Sequence, residues 1–275
     1  HDAATGEGFT WGEFADAFGR TQDLTLAEQW AAGVRAFDLR PAVSTDDDGQ
    51  DNLVIYHGIL ETNIRFADAL QLLCDSLDAN PSETAIVIMR HETDAYYNFT
   101  LYKNEVSNNT TYFSAKLNSM LTKDSKISSH VITNQYADIR LKDARGKLII
   151  LMRDYDAPAG AKVTGWGNEK APFLAGGNAT ITNTTSDASY LFVQDYYDTS
   201  ASGGPAAKTA DFQTLLNYTS QTQFNDAVWV VNMTAGYNAT TSLLGNSFPA
   251  STGYAGNATT QNAAAVTAIN NTTTG

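Results

Sequence analysis

Two histidines and an arginine near the start of the chain are of the residue types that phosphodiester transfer requires. His1 opens the chain, Arg40 follows, and His57 comes after a further apolar stretch. In such a reaction one imidazole removes the proton of the attacking hydroxyl and a second protonates the leaving oxygen, while a guanidinium stabilises the charge of the phosphorane. A single histidine is more often structural or exposed, so the prediction depends on the order and setting of all three residues.

Short β-branched runs that end in a polar or charged residue alternate along the chain with helical patterns. Alternation of this kind predicts βαβ units around a parallel sheet. The predicted strands are Val34–Arg40, Leu53–His57, Ala85–Arg90, Lys147–Arg153, Leu191–Asp195 and Val228–Asn232. Because parallel sheets and barrels place reactive groups at the carboxyl ends of their strands, we expect five of these terminal side chains to converge on one mouth. They are Arg40, His57, Arg90, Arg153 and Asp195.

The segments between and after the strands are predicted as helices or loops. The predicted helices are Leu24–Ala32, Ile64–Asp78 and Asp211–Thr219. Ala161–Ser189, rich in Gly, Asn and Thr, is predicted as a loop beside the mouth. After Asn238 the chain is only weakly patterned, and Ala263–Ile269 is predicted as helix or irregular chain.

Length and composition indicate one folded domain. The chain has 275 residues, and a (β/α) barrel takes about 250. With 43% hydrophobic and 17% charged residues, and no linker rich in Pro, Gly and Ser, the chain can build a core. We therefore predict a single α/β domain over residues 1–275, a TIM-type (β/α) barrel that is open to distortion or incompleteness at its termini.

The formal net charge of −13 argues against a nucleic-acid partner, because phosphate backbones are held mainly by Lys and Arg. The same charge opposes tight docking on anionic membranes, so we expect contact with a lipid surface to be apolar, brief or local. No apolar run reaches the roughly 18 residues that span a bilayer. The chain starts at His1 without Met or a signal peptide, so we expect a processed or trimmed product.

One cysteine and many Asn-Xaa-Thr sequons bear on the cellular compartment. Cys74 lies in an apolar-periodic stretch, which predicts a buried, inert thiol. The sequons are glycan sites in a secreted eukaryotic protein, or else an Asn/Thr-rich surface composition. Both interpretations stay open, and an extracytoplasmic location is favoured.

Several segments, taken together, resemble one family. In chain order they are His1-Asp2, Gly33–Arg40, Tyr56-His57-Gly58, Asn80–Thr84, Arg145–Arg153 and Val193–Tyr197. This order resembles the X domain of phosphatidylinositol-specific phospholipases C of the metal-independent bacterial type. The resemblance covers most of the chain up to about Thr234 and implies an α/β barrel that acts on an inositol phospholipid or a glycosylated lipid anchor at a membrane surface, most simply as a monomer.

The resemblance also implies a role for each matched residue. His1 matches the general base for the inositol 2-hydroxyl, and His57 the general acid for the diacylglycerol oxygen, assisted by Asp2. Arg40 matches the arginine that contacts the phosphate. The positions that hold the inositol ring are matched by Arg90, Arg153, Asp195 and Tyr197. The implied product is a cyclic inositol phosphate.

Arg40 also separates two subfamilies, since metal-dependent relatives carry an acidic calcium ligand at its position. A guanidinium has no free lone pair for a cation. We therefore expect no metal and no cofactor, with the Arg40 charge in place of the metal. Asp38 with Asp46-Asp47-Asp48 leaves a metal site as a less favoured alternative, the acidic run being otherwise a solvated loop.

Each implied residue has a structural alternative. Asp2 would cap a helix, Tyr197 would pack, and the arginines would form structural ion pairs, Arg90 with Glu92 and Arg153 with Asp154 or Asp156. His91 and His130 match no position and are predicted to be structural or surface residues. Three aromatic residues either touch lipid at the rim or, as the favoured alternative, pack in the core. They are Phe9, Trp11 and Trp166.

The sequence departs from the family pattern at both ends. The family orients its base histidine with an Asp on the last barrel strand, and no aspartate follows Asp226; the strand before His1 is also missing. Trimming at both ends is our expectation. Two other functions stay open: a metal-dependent glycerophosphodiester phosphodiesterase, which Arg40 argues against, and a catalytically inactive secreted barrel that binds inositol lipid or glycan.

Overall fold

The computed structural model describes residues 3–45, 50–92, 110–133, 139–153, 160–166, 179–182, 188–199, 204–222, 228–236, 240–243, 246–249 and 251–272. They belong to two compact units. The first contains the described residues up to Val163, and the second contains those of Thr164–Ile181 and Ala188–Gly275.

The first unit is an α/β unit that begins with a 3₁₀ turn, Ala3–Glu7. Its helices are α1 (Glu13–Gly19), α2 (Leu26–Ala31), α3 (Phe66–Ala79), α4 (Thr110–Lys123), α5 (Ser125–His130) and α6 (Leu141–Ala144). Its strands are β1 (Ala36–Leu39), β2 (Pro41–Thr45), β3 (Asp51–His57), β4 (Leu60–Arg65), β5 (Thr84–Met89), β6 (Lys147–Met152) and the start of β7 (Ala161–Thr164).

A parallel sheet in the order β1-β5-β6-β7 organises this unit and confirms the predicted α/β class. Strand β6 is buried from Leu148 to Met152, as expected for a parallel strand covered on both faces. Helix α3 buries a stripe at helical spacing against the same core, with Phe66, Leu70 and Leu73 fully buried. Cys74 lies in this stripe, and burial raises the pKa of its thiol to about 12, which confirms a buried thiol of low reactivity.

His57 is not at the end of a parallel strand, which corrects the prediction for this residue. Strand β3 lies in an antiparallel sheet in the order β2-β3-β4. His57 pairs with Leu60 across a two-residue turn, in which Gly58 has φ 60, a value that glycine adopts without strain. Parallel pairing needs a crossover of a dozen or more residues, and the connections on either side of β3 are too short for one.

The second unit contains a βαβ arrangement. Strand β9 (Ala188–Gln194) pairs in parallel with β10 (Val228–Asn232), and Gln194 is in register with Asn232. Helix α7 (Gly204–Gln221) lies between them in the chain and begins seven residues before the predicted Asp211 start. Strands β11 (Thr240–Leu243) and β12 (Asn246–Pro249) form an antiparallel pair.

Two weakly patterned regions of the sequence form regular structure. The predicted loop Ala161–Ser189 contains β7 and β8 (Ala179–Thr182), and Ala188 already belongs to β9, so the loop prediction was wrong for those residues. The tail forms helix α8 (Ser251–Asn271), which includes the segment predicted as helix or irregular chain. Ala265 and Ala268 of α8 pack on Phe212 of α7, a contact made by small side chains that gives little periodic signal in the sequence. No helix among the described residues is both long and apolar enough to cross a bilayer.

Candidate active site

Three arginines follow three adjacent strands at the same edge of the parallel sheet. Leu39 is in register with Met89 and Met89 with Met152, and the next residues are Arg40, Arg90 and Arg153. The Arg90 backbone N–H donates to the Leu39 carbonyl at 3.4 Å, and that of Arg153 donates to the Met89 carbonyl at 2.9 Å. The register of the sheet therefore brings three predicted site residues to one edge, as the sequence analysis expected.

Arg40 lies between two buried carboxylates. Its Nε donates to Asp38 Oδ1 at 3.3 Å and its Nη2 donates to Asp38 Oδ2 at 3.3 Å, a two-point contact of the kind guanidinium groups favour. Its Nη1 lies 3.7 Å from Glu92 Oε2. The side chain of Arg40 is 15% exposed and each carboxylate side chain is 5% exposed. The two carboxylates therefore hold the guanidinium in place, and the guanidinium stays partly open to solvent.

Electrostatics keep Asp38 ionised in this cluster. Burial raises the pKa of its carboxyl, but nearby positive charge outweighs burial and holds the pKa below its usual value; the charge and hydrogen bonds of Arg40 contribute most, and the charge of Arg153 is among the smaller contributions. Arg153 therefore acts on the same carboxylate as Arg40. The Asp38–Arg40 pair is charged at neutral pH.

The hairpin of β3 and β4 brings His57 into this electrostatic environment. The Tyr56 backbone N–H donates to the Arg40 carbonyl at 2.9 Å, which ties the end of β3 to the residue after β1. His57 Nδ1 lies 2.7 Å from the Gly19 carbonyl oxygen at the end of α1. Because a carbonyl oxygen can only accept, Nδ1 is the donor in this contact and carries the proton of the neutral ring.

His57 is neutral at pH 7 in the protein alone. Desolvation and then the Arg40 charge lower its pKa from 6.5 to about 4, against the opposing effects of the Gly19 hydrogen bond and the Asp38 charge. An anion placed against Arg40 would offset one of the effects that lower this pKa. The protonation of His57 is thus sensitive to what binds at Arg40.

Asp195 and Tyr197, which were also predicted as site residues, belong to the second unit. Asp195 follows β9 and is buried, and its Oδ2 accepts a hydrogen bond from Trp166 Nε1 at 2.9 Å. Tyr197 is half-buried. Buried Lys208 of α7 donates from Nζ to the Tyr196 carbonyl at 2.8 Å and to Gln194 Oε1 at 3.3 Å. These two hydrogen bonds hold the residues on either side of Asp195.

Some site residues lie outside the described part of the chain, and others were missed. His1 and Asp2 are outside it, as are Asp154 and Asp156 and the acidic run Asp46-Asp47-Asp48. Sequence reasoning did not single out Gly19 or Lys208 and offered Glu92 only as a partner of Arg90. The one available signal was for Lys208, a charged residue between weakly polar neighbours in the sequence, whereas Glu92 stands among other charged and polar residues.

The other histidines and aromatic residues have structural surroundings. His91 is buried and stacks on Phe113 with ring centroids 3.9 Å apart. His130 Nε2 lies 3.1 Å from Asp78 Oδ1. Phe9 and Trp166 are buried in packing positions, whereas Trp11 is 38% exposed. The core alternative is confirmed for the first two aromatics and not for Trp11.

Comparison with known proteins gives a consistent family. The family described as "Phosphatidylinositol-specific phospholipase C, X domain" matches residues 15–154, a span that contains Arg40, His57, Arg90 and Arg153. A 1-phosphatidylinositol phosphodiesterase of Listeria monocytogenes is 28% identical over 164 residues, which are 56% of this chain and 43% of that protein. The aligned part thus spans less than half of that relative's length.

Solved structures of two bacterial enzymes share the fold. A phosphatidylinositol-specific phospholipase C variant from Staphylococcus aureus matches with a TM-score of 0.65 and 19% identity, covering 98% of this chain and 79% of that one. The phosphatidylinositol-specific phospholipase C from Listeria monocytogenes matches with a TM-score of 0.55 and 19% identity, covering 84% and 70%. At this identity the likeness establishes the fold, which confirms the predicted fold class; closure of the sheet into a barrel stays a prediction.

Proposed function

Because the chain belongs to the phosphatidylinositol-specific phospholipase C X-domain family, we propose that it cleaves phosphatidylinositol or a related inositol lipid. The inositol 2-hydroxyl attacks phosphorus, and the bond from phosphorus to the diacylglycerol oxygen breaks. The base takes the hydroxyl proton and the acid supplies one to the departing oxygen. The products are diacylglycerol and a cyclic inositol phosphate.

The cluster around Arg40 is the observation that carries this proposal. Arg40 is charged, partly open to solvent and fixed by Asp38 and Glu92. A preorganised guanidinium stabilises the charge that develops on the phosphate oxygens in the transition state without reorganising. The same contacts support a mechanism without metal, because Arg40 occupies the two carboxylates that a cation would otherwise use.

His57 is the proposed general acid. Its Nδ1 donates to the Gly19 carbonyl, and we assign the protonation of the diacylglycerol oxygen to Nε2. A phosphodiester anion against Arg40 offsets the guanidinium charge and raises the pKa of His57 from its low value in the free protein. Substrate binding therefore promotes the protonated state that the acid needs.

The remaining roles follow the family pattern. His1 is the proposed base and Asp2 assists the acid. The proposed contacts of the inositol ring are Arg90, Arg153, Asp195 and Tyr197. In this proposal residues 1–275 act as one catalytic domain.

Membrane contact is proposed through an apolar surface beside α1. Phe14 is 62% exposed and Trp11 is 38% exposed, and aromatic side chains of this kind favour the membrane interface. The net charge of −13 limits attraction to anionic lipid, so the contact is apolar and transient. We place the protein outside the cytoplasm as a monomer that meets its lipid peripherally.

The decisive test is incubation of the protein with phosphatidylinositol in detergent micelles, with and without a chelator, followed by phosphorus NMR of the water-soluble products. Cyclic inositol phosphate in both samples is the expected result. Product only without chelator would keep the family activity and refute the metal-independent role of Arg40. Headgroup binding without product in either sample would favour an inactive lipid-binding protein.

A further inference from the structure

Gly19 ends helix α1 in a space that a side chain could enter only if the side chains of its buried neighbours moved. A Cβ added there would lie 2.5 Å from Leu60 Cδ1 and 2.9 Å from Phe9 Cζ, both closer than real carbon contacts. Gly19 is not among the glycines with positive φ, so its backbone conformation is open to other residues. The need for glycine at this position is therefore one of space.

The residues that crowd Gly19 also hold the hairpin that carries His57. Phe9, Ala15 and Leu60 form one buried apolar cluster, with Ile59 packed against it. Ile59 and Leu60 come two and three residues after His57 in the hairpin, and Phe9 bridges to Thr62 of β4. The cluster thus fixes α1 and the hairpin relative to each other within the first unit.

We propose that Gly19 is a positioning residue for the acid histidine: its missing side chain lets α1 end against Phe9 and Leu60, which aims its carbonyl at His57 Nδ1. This inference rests on the proposed role of His57. The hydrogen bond of 2.7 Å places the proton of the neutral ring on Nδ1, and the proposed function assigns the proton transfer to Nε2. A misplaced carbonyl removes this restraint on the orientation and tautomer of the ring, which shifts the acid from its productive geometry.

The test is Gly19→Ala, with Gly256→Ala as a matched control. A Cβ at Gly256 meets nothing within 4 Å, so the same chemical change is made where space exists. We expect kcat on phosphatidylinositol micelles to fall about 100-fold in Gly19→Ala, since small displacements of catalytic groups cost about that much. KM should change less than threefold, and the control should match the unmutated protein.

A readout of the ring itself separates positioning from general damage. Nitrogen-15 NMR of the histidine rings at pH 7 should show His57 protonated at Nδ1 in the unmutated protein and in Gly256→Ala, and a mixture of tautomers in Gly19→Ala. Assignment uses His57→Gln. The double variant Gly19→Ala/Leu60→Ala removes the closest clash, and we expect it to regain at least about tenfold in kcat over Gly19→Ala, although Leu60→Ala alone lowers the melting temperature.

Each outcome decides the proposal. Unchanged kcat, or lowered kcat with an unchanged His57 spectrum and a lowered melting temperature, would overturn the positioning role. If the unmutated protein lacks phospholipase C activity, the proposed function fails. The ring spectra of the same variants still decide whether Gly19 sets the His57 tautomer.

Discussion

The two units each hold a cation beside the carboxyl end of a parallel strand, and its surroundings differ. In the first unit Arg40 contacts two carboxylates and keeps 15% of its side chain exposed. In the second unit Lys208 is fully buried and donates to a backbone carbonyl and a side-chain amide oxygen. The first cation is paired with charge and accessible, and the second is held by neutral oxygens and enclosed.

The protonation of the two cations follows from these surroundings. A guanidinium stays charged under all ordinary conditions. Burial lowers the pKa of Lys208 to about 8, against the charges of Asp195 and Asp211. The comparison suggests that Arg40 is placed to meet an anion, whereas Lys208 braces the end of β9.

A hydrogen-bond network supports the bracing role of Lys208. Gln194 Oε1 also accepts from the Tyr196 backbone N–H at 2.8 Å, and Gln194 Nε2 donates to Asn232 Oδ1 at 2.9 Å. Asn232 Nδ2 in turn donates to the Phe212 carbonyl at 2.8 Å. The network joins the ends of β9 and β10 to helix α7, next to Asp195 in the chain.

Replacing Arg40 should have the largest effect. We expect Arg40→Met to lower kcat by about 10³-fold, because the charge that stabilises the transition state is lost. It should also lower the free energy of unfolding by about 3 kcal/mol, since Asp38 and Glu92 lose their buried partner. Micelle assays and urea titration measure the two effects.

A double variant separates the effect of Arg40→Met on kcat from its effect on stability. Asp38→Asn added to Arg40→Met removes one buried charge, and part of the lost stability should return while activity stays low. Recovery of activity together with stability would show that Arg40 acts only as a structural ion pair.

Replacing Lys208 should affect stability more than catalysis. Lys208→Met leaves the Tyr196 carbonyl without its Lys208 hydrogen bond, and we expect the free energy of unfolding to fall by about 2 kcal/mol, with kcat changed less than tenfold. Exposed Lys123→Met serves as the matched control and should leave both quantities unchanged. A loss of kcat as large as that in Arg40→Met would erase the distinction between the two cations.

Mild acid should destabilise the first unit. The pKa of His57 and that of His91 are both lowered by burial to about 4, below the usual value of 6.5. Between these values the unfolded chain binds more protons, so stability falls as pH falls from about 6.5 to 4, by on the order of 1 kcal/mol per pH unit for each histidine. Urea titrations across this range measure the slope, which His91→Gln should reduce; an unchanged slope would contradict the lowered pKa of His91.

Ligand binding should produce the smallest of these effects, a shift in one pKa. Inositol phosphate placed against Arg40 should raise the pKa of His57 above its value in the free protein, because its negative charge offsets the guanidinium. Histidine NMR titration with and without inositol phosphate measures the shift, and Arg40→Met should abolish it. A pKa of His57 that is insensitive to the ligand would place the phosphate elsewhere.

Local patterns in the sequence predicted much of the first unit and less of the second. Strands such as Lys147–Met152 and the helix Phe66–Ala79 are strongly patterned, and the structure has both. Helix α8 and strand β8 are rich in Ala and Thr, and α8 also in Asn, and the burial of such residues depends on what packs against them rather than on periodicity. The hairpin containing His57 was not predicted, because its antiparallel direction follows from short connections to β2 and β4, two strands that the sequence analysis did not predict.

The sequence by itself determined the α/β class, the three arginines that follow successive strands, and the family to which their order belongs. The class, the arginines and the family can be predicted because they depend on residue types and on the alternation of strand and helix patterns, both of which are visible in the sequence. Only the tertiary structure decided that Glu92 contacts Arg40, that Gly19 fixes the tautomer of His57 and that Lys208 lies buried under the end of β9. Those contacts join residues between 12 and 52 positions apart, and the distances and dielectric surroundings that set their energies exist only once the chain has folded.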